Sequence, residues 1–435
     1  MSGRSWRDTW HQLAQPASLT ILLLGFGSGL PFLLVATTMG LWLKDAGYKV
    51  DAITWLTGVG MAYALKFLWA PLVDHVVLPG LRHLGQRRSW LLAAQAGVAL
   101  GLLGMAWVTP AHLTAFVALA LFTAFAGATQ DIVLAAYRIE IAPVEAQAGL
   151  AAAVILGYRI ALITSGGLAL VLTSHISWSW VYVVMAAFML IPLVTTAVAR
   201  EPEVVHVAQG SWATRMYQGV VAPFVDFFSR YKWWLGIGLL AFLLLFKISD
   251  QALAGGLMGP FYRAAGFSNA QIGTVSGFYG VWIGIAGAFI GGVAVARFGL
   301  RRSLWAAMIL GAVSNLVYVG LAHQHGNMLA FYLAITGENL SGGFLGAVAV
   351  AYLSALVNQR YTATQYALFD SLINLPGKVL GLASGSMVLM FSNAPTASMT
   401  GYADYFTLTT LAIAPALALF AWLARRVALA GEVAN

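Results

Sequence analysis

The chain has 435 residues, 60% of them hydrophobic and only 9% charged, whereas a soluble protein carries about 25% charged residues. That balance excludes a soluble domain and points to a chain whose apolar side chains face lipid while its backbone bonds itself in helices. The absence of cysteine excludes a disulfide framework and a cysteine-ligated metal site, and the net charge of +8 lies in short loops rather than in a nucleic-acid patch.

Arg4 and Arg7 precede an apolar run from about Ala17 to Leu43. It shows no small-residue cleavage pattern and reads as an uncleaved first span. Runs able to cross about 30 Å of hydrocarbon then recur. They predict an all-α membrane protein with twelve transmembrane helices, at 17–43, 52–73, 89–109, 113–141, 148–174, 178–199, 233–262, 269–296, 303–322, 327–357, 364–391 and 402–424. Trp55, Trp178, Trp180, Trp233 and Trp234 fall near the predicted interfaces as belt anchors.

Basic residues set the orientation. Arg4, Arg7, Arg82, Arg87, Arg88, Arg200, Arg215, Arg230, Lys232, Arg297, Arg301, Arg302, Arg360, Arg425 and Arg426 fall on one side; Lys44, Lys49 and Arg263 fall on the other. Fifteen against three places both termini in the cytoplasm.

The longest loop divides the chain into six-helix bundles at 1–199 and 233–435, joined by a linker at 200–232. Trp212–Arg230 mixes apolar and basic residues and predicts an amphipathic helix on the cytoplasmic leaflet. The halves repeat: Leu84-Gly85-Gln86-Arg87-Arg88-Ser89-Trp90 follows the second span, and Phe298-Gly299-Leu300-Arg301-Arg302-Ser303-Leu304-Trp305 follows the eighth. Pseudo-symmetric halves arise in this way by duplication.

Lys66, Asp131, Arg138, Arg159, Lys247, Asp250, Glu338, Asp370 and Lys378 lie within predicted spans. Each charge costs roughly 2.5–3.5 kcal/mol at mid-membrane, so they must face a watered path or pair with one another. Asp131 and Arg138 share a face of the fourth span, and Lys247 and Asp250 are close enough in sequence to touch. That pair reads either as a static salt bridge or as a carboxylate that releases its lysine on protonation. Asp131 is the first candidate for proton coupling and Asp250 the second. Arg138 with Glu140 is a candidate intracellular gate or a structural pair.

Arg159, deep in the fifth span, is a candidate partner of substrate carboxylates, with Lys66 and Lys378. Lys66 could instead snorkel. Glu338 and Asn339 are candidates for sugar hydroxyls or peptide amines. Asp370 reads as structural. Gly25 with Gly29, and Gly166 with Gly167, read as close helix approaches. The histidines form no metal-spaced cluster, and no His-Glu-x-x-His, Gly-x-Ser-x-Gly or phosphate loop is present, so no cofactor, metal or enzymatic activity is expected.

Several segments resemble known families. The loop from Asp74 to Arg88 resembles the latch between the second and third spans of major-facilitator transporters, which implies that Asp74 pairs with Arg87 and Arg88. These arginines, with Arg301 and Arg302 in the second copy, read otherwise as topology anchors; Ala296 replaces the acid there. Gly25-Phe26-Gly27-Ser28-Gly29-Leu30-Pro31, Lys66-Phe67-Leu68-Trp69-Ala70-Pro71, Gln130-Asp131-Ile132-Val133, Gly157-Tyr158-Arg159, Phe246-Lys247-Ile248-Ser249-Asp250, Glu338-Asn339-Leu340-Ser341 and Thr364-Gln365-Tyr366 are similar to AmpG-type muropeptide permeases.

The resemblance covers nearly the whole chain and implies the major-facilitator fold in a bacterial inner membrane. It also implies proton-coupled, alternating-access import of GlcNAc-anhydroMurNAc peptides, serving cell-wall recycling and β-lactamase induction. Gln130 and Gln365, in matching segments, become candidate substrate contacts. The implied partners are the solute, protons and lipid, with the chain a monomer. The pattern is broken at Ala135, where an acid is expected, and at Gly277, where a lysine is common. An importer of a siderophore or other amphiphile on the same fold, and a transport-inactive sensor, remain as alternatives.

Overall fold

In a computed structural model of the chain, residues 16–426 are described, except 76–77, 79, 81, 142–146, 203–220, 232, 252–255, 357–361 and 395. Regular structure among the described residues is wholly helical. Eleven helices are long and apolar enough to cross a membrane: Ala17–Asp45, Gln86–Val108, Pro110–Glu140, Ala153–Leu172, Trp178–Val198, Trp233–Asp250, Asn269–Val295, Leu300–Ala322, Met328–Leu353, Leu368–Ser392 and Met399–Leu423. The remaining predicted span, the second, is segmented.

That second run comprises Val50–Leu56, Ala62–Leu65 and Ala70–His75, with tighter 3₁₀ turns at Thr57–Met61 and Lys66–Leu68. Gly58 and Gly60 lie in the first turn, where each costs about 1 kcal/mol relative to alanine in a helix. Pro71 has no N–H for the Phe67 carbonyl, which ends helical bonding at the second turn. The same chemistry divides the sixth span between Phe188 and Leu190, four residues before Pro192, and the twelfth between Leu411 and Ala414, at Pro415. The seventh also breaks: Trp233–Leu245 gives way to a turn at Phe246–Lys247 before Ile248–Gln251.

Two compact units emerge. The first holds residues through Gly47, Val59–Val207 and Asn269–Gly277; the second holds Tyr48–Gly58, Ala208–Ser268 and Phe278 onward. The short segments 48–58 and 269–277 therefore pack away from the sequence half that contains them.

Within the first unit, the first and fifth spans meet backbone to backbone. A Cβ on Gly25 would lie 2.6 Å from the Val154 carbonyl oxygen, and one on Gly29 would lie 2.8 Å from that of Tyr158. Such contact requires glycine. Trp178 donates its indole N–H to Asp45 at 3.1 Å and stacks on Trp42. Trp233 and Trp234 are exposed. The second unit is built around Phe242, Phe246, Tyr352 and Phe420, whose rings pack 5.0–6.3 Å apart.

Of the predicted linker helix, Ala222–Arg230 is helical and 212–220 lie outside the described residues. Arg230 joins Asp226 at 3.1 Å and donates to the Leu356 carbonyl. Both repeat motifs start their helices alike. Gly85 and Gly299 adopt φ of 88° and 78° immediately before helices Gln86–Val108 and Leu300–Ala322, a backbone region open to glycine.

Candidate functional site

Asp131 lies on the fourth span, one turn beyond Gly127. A Cβ on Gly127 would collide with the Tyr63 hydroxyl and approach Pro31 to 3.1 Å, so this glycine lets the fourth span close on the first and second. The approach brings Ser28 and Lys66 to the Asp131 carboxylate. Ser28 Oγ donates to Oδ1 in a short hydrogen bond, and Lys66 Nζ lies 3.3 Å from Oδ2. The Asp131 side chain is 16% exposed and that of Lys66 39%. One carboxylate thus holds a hydroxyl from the first span and a cation from the second. Protonation of Asp131 would cancel its charge and release the ammonium.

The structure moves other expected contacts. Lys66 pairs with Asp131 across the bundle rather than standing free for a solute anion. Gln130 is fully buried beside Gly27, where a Cβ would come 2.9 Å from its Nε2 and 2.6 Å from Pro192, so a solute does not reach it here. Neither polar atom of the Gln130 side chain, nor the Tyr63 hydroxyl, has a hydrogen-bond partner among the described residues. Arg159 is half-buried and makes no hydrogen bond or ion pair with the described residues. Lys378 is half-buried on the eleventh span.

A second constellation lies at the end of the first unit that carries the repeat motif. Arg87 grips Glu140 with two bonds, Nε to Oε2 at 2.9 Å and Nη2 to Oε1 at 2.6 Å. Glu140 was expected to face Arg138; helical spacing does not favour that i,i−2 pair, whereas Arg87 arrives from the third span. Glu201 accepts the backbone N–H groups of Arg87 at 2.7 Å and Arg88 at 2.9 Å, capping the helix with the charge its N-terminus favours. Arg88 spans to the Thr196 and Ala197 carbonyls. The Asp74 side chain, expected in this latch, lies outside the described residues, as does that of Gln365.

In the second repeat Arg301 donates to the Ala424 carbonyl at 2.5 Å, while Arg302 is exposed. Sequence reasoning missed Ser28 and Glu201. Ser28 sat inside a quoted glycine run, and Glu201 was detectable as an acid directly following the sixth span on the arginine-rich side.

The second unit contains a polar ring. Lys247 and Asp250 do not come within ion-pair distance, because the turn at Phe246–Lys247 interrupts the helix that would have stacked them. Asp250 instead rests against Gly342 of the tenth span, where a Cβ would lie 3.0 Å from its Oδ1. One turn earlier on that span, Glu338 accepts a short hydrogen bond from the Tyr318 hydroxyl, which lies 3.0 Å from that of Tyr262. Asn315 donates to the Ser249 carbonyl at 3.1 Å and to Thr409 at 2.9 Å. Asn339, expected near Glu338 at a solute, donates to Ile335 of its own helix and faces Gly280.

The Major Facilitator Superfamily model matches residues 18–377. The anhydromuropeptide permease of Escherichia coli K12 is 34% identical over 409 residues, covering 93% of this chain and 79% of the relative. The chain belongs to the AmpG family of major-facilitator transporters. The Rickettsia conorii transporter AmpG 4 is 30% identical, covering 94% of this chain and 96% of the relative. The crystal structure of the nucleoside transporter NupG superposes with a TM-score of 0.68 at 16% identity, covering 95% and 99% of the two chains. XylE from Escherichia coli, solved inward open, gives 0.61 at 13%, covering 95% of each. These likenesses establish the fold of the AmpG-family chain. It is a membrane transporter and not an enzyme.

Gly277, where the resemblance implied a lysine, sits in a close backbone contact. A Cβ there would collide with Gly167, and 2.7 Å would separate it from the Gly166 carbonyl carbon. Ile163–Leu168 and Gly273–Tyr279 are π-helical turns, whose extra residue per turn presents the backbone at this contact. A lysine does not fit. Ala135, where the resemblance implied an acid, is exposed on the fourth span one helical turn beyond Asp131.

Proposed function

We propose that this chain imports GlcNAc-anhydroMurNAc peptides across a bacterial inner membrane by alternating access, driven by inward proton movement and acting as a monomer in lipid. The reading is carried by 34% identity with the Escherichia coli anhydromuropeptide permease over 93% of the chain. Such solutes carry lactyl and peptide carboxylates, which a guanidinium binds through two parallel bonds. Arg159 is the proposed anchor: it is half-buried, and no protein carboxylate among the described residues occupies it. Lys378 is the proposed second cation.

In the coupling step, a proton joins Asp131. The loss of its charge frees Lys66, and the bonds between the first, second and fourth spans weaken together. Deprotonation toward the cytoplasm restores the centre. Arg87, Glu140 and Glu201 hold the arginine-rich end shut or open as a unit, which is the gating role assigned to them. Both termini face the cytoplasm in this reading.

Uptake of a radiolabelled GlcNAc-anhydroMurNAc peptide into proteoliposomes tests it. Uptake enhanced by an inward proton gradient is expected. No uptake by the wild-type protein, with or without the gradient, would remove the proposed substrate.

A further inference from the structure

Glu338 has a setting unsuited to a solute contact. Its carboxylate is engaged by Tyr318, and Tyr318 is fully buried with the Phe261 and Phe406 rings 6.0 and 5.4 Å away. No cation forms an ion pair with Glu338 among the described residues. An ionised carboxylate enclosed in this way is costly unless its surroundings compensate the charge.

With Glu338 ionised, Tyr318 donates its single O–H to the carboxylate, and Tyr262 is then the donor of the bond between the two tyrosines; a proton on Glu338 allows that order to reverse. The tyrosine oxygens and the Glu338 carboxylate form one hydrogen-bonded chain, from Tyr262 near the arginine-poor end of the seventh span into the tenth. Asp250 lies one helical turn farther along the tenth span, against Gly342 and within electrostatic range of Glu338. Asn315, one turn from Tyr318, ties the ninth span to the Ser249 carbonyl and so fixes the break that presents Asp250.

Among the described residues, few charged and titratable groups lie on the elements around this pair. The seventh span supplies Tyr262, Asp250 and Lys247, the last within electrostatic range of Asp250, and the ninth supplies Tyr318. The eighth supplies Tyr279, bonded to Thr336 two residues from Glu338. The eleventh span carries Lys378 and Asp370, the latter held by Asn374 Nδ2 at 3.2 Å.

We propose that Glu338, clamped by Tyr318, is a proton-carrying carboxyl that works in series with Asp250. The inference rests on the proton-coupled reading above and adds a carrier to it. In the loading step one proton from the outer side joins the Glu338 carboxylate and makes the neutral acid. In the release step that O–H bond breaks, the proton passes to the Asp250 carboxylate and then to the cytoplasm, and the Glu338 anion is restored. Tyr318 is a positioning residue, whose donated bond compensates that anion.

The test compares wild type with Glu338→Gln, Glu338→Asp and Tyr318→Phe in proteoliposomes, using a labelled GlcNAc-anhydroMurNAc peptide. Two quantities are read: counterflow, which needs no net proton movement, and solute-induced proton uptake followed with a pH dye. Expected are retained counterflow and lost proton uptake in Glu338→Gln, with coupled uptake at a displaced pH profile in Glu338→Asp and Tyr318→Phe. Coupled proton uptake by Glu338→Gln overturns the inference. If that variant loses counterflow too, unchanged pH profiles in Glu338→Asp and Tyr318→Phe overturn it, and displaced ones support it. A wild-type protein that moves solute without protons removes both this inference and the proton-coupled reading; a coupled wild type with a coupled Glu338→Gln removes only this one.

Discussion

Arg87 illustrates how one residue can hold three elements. Its guanidinium takes both oxygens of Glu140, its backbone N–H binds Glu201, and its side chain is only 8% exposed. Breaking a largely buried pair leaves an uncompensated charge, so Arg87→Ala is predicted to destabilise the protein by about 3 kcal/mol. Thermal unfolding in detergent measures this, and an unchanged midpoint would contradict the assignment. Glu201→Ala removes a helix cap rather than an ion pair, and a smaller loss of about 1 kcal/mol is expected by the same assay. The arginines were legible in the sequence as a repeated motif. Their pairing with Glu140 and Glu201 was not, because these acids lie 53 and 114 positions from Arg87 and meet it only once the spans are arranged. The spacing of Lys247 and Asp250 suggested a contact that a helix break prevents, while Asp131 found Ser28 and Lys66 on other spans.

The spans themselves follow from apolar run length, and among the described residues eleven helical runs meet that requirement. Their interruptions were harder to foresee. Pro192 and Pro415 each divide a span four residues upstream, and both could have been read from proline's missing N–H. The turn at Phe246–Lys247 carries no such signal. Glycines in the first and fifth spans set how closely these helices approach, and a Cβ on Gly157 would collide with the Leu22 carbonyl. Gly157→Ala must therefore push the first span away, and a loss of about 1–3 kcal/mol is expected from overpacking, again read by thermal unfolding. At the π-helical contact, Gly277→Leu is predicted to abolish solute uptake while leaving the protein monodisperse in detergent; normal uptake would show that the close approach of Gly277 to Gly167 is dispensable.

For the molecule as a whole, the proposed proton-coupled cycle requires the charge of Asp131, held by Ser28 and Lys66, to change between states. A permanent ion pair would hold the first, second and fourth spans in one arrangement. Substituting asparagine leaves the shape and a hydrogen-bonding group but removes the titrating proton, so it separates solute movement from proton movement. The decisive measurement is gradient-driven accumulation of a labelled GlcNAc-anhydroMurNAc peptide by Asp131→Asn, set beside its counterflow. The account predicts counterflow near the wild-type level with no accumulation above equilibrium; accumulation equal to wild type would contradict it.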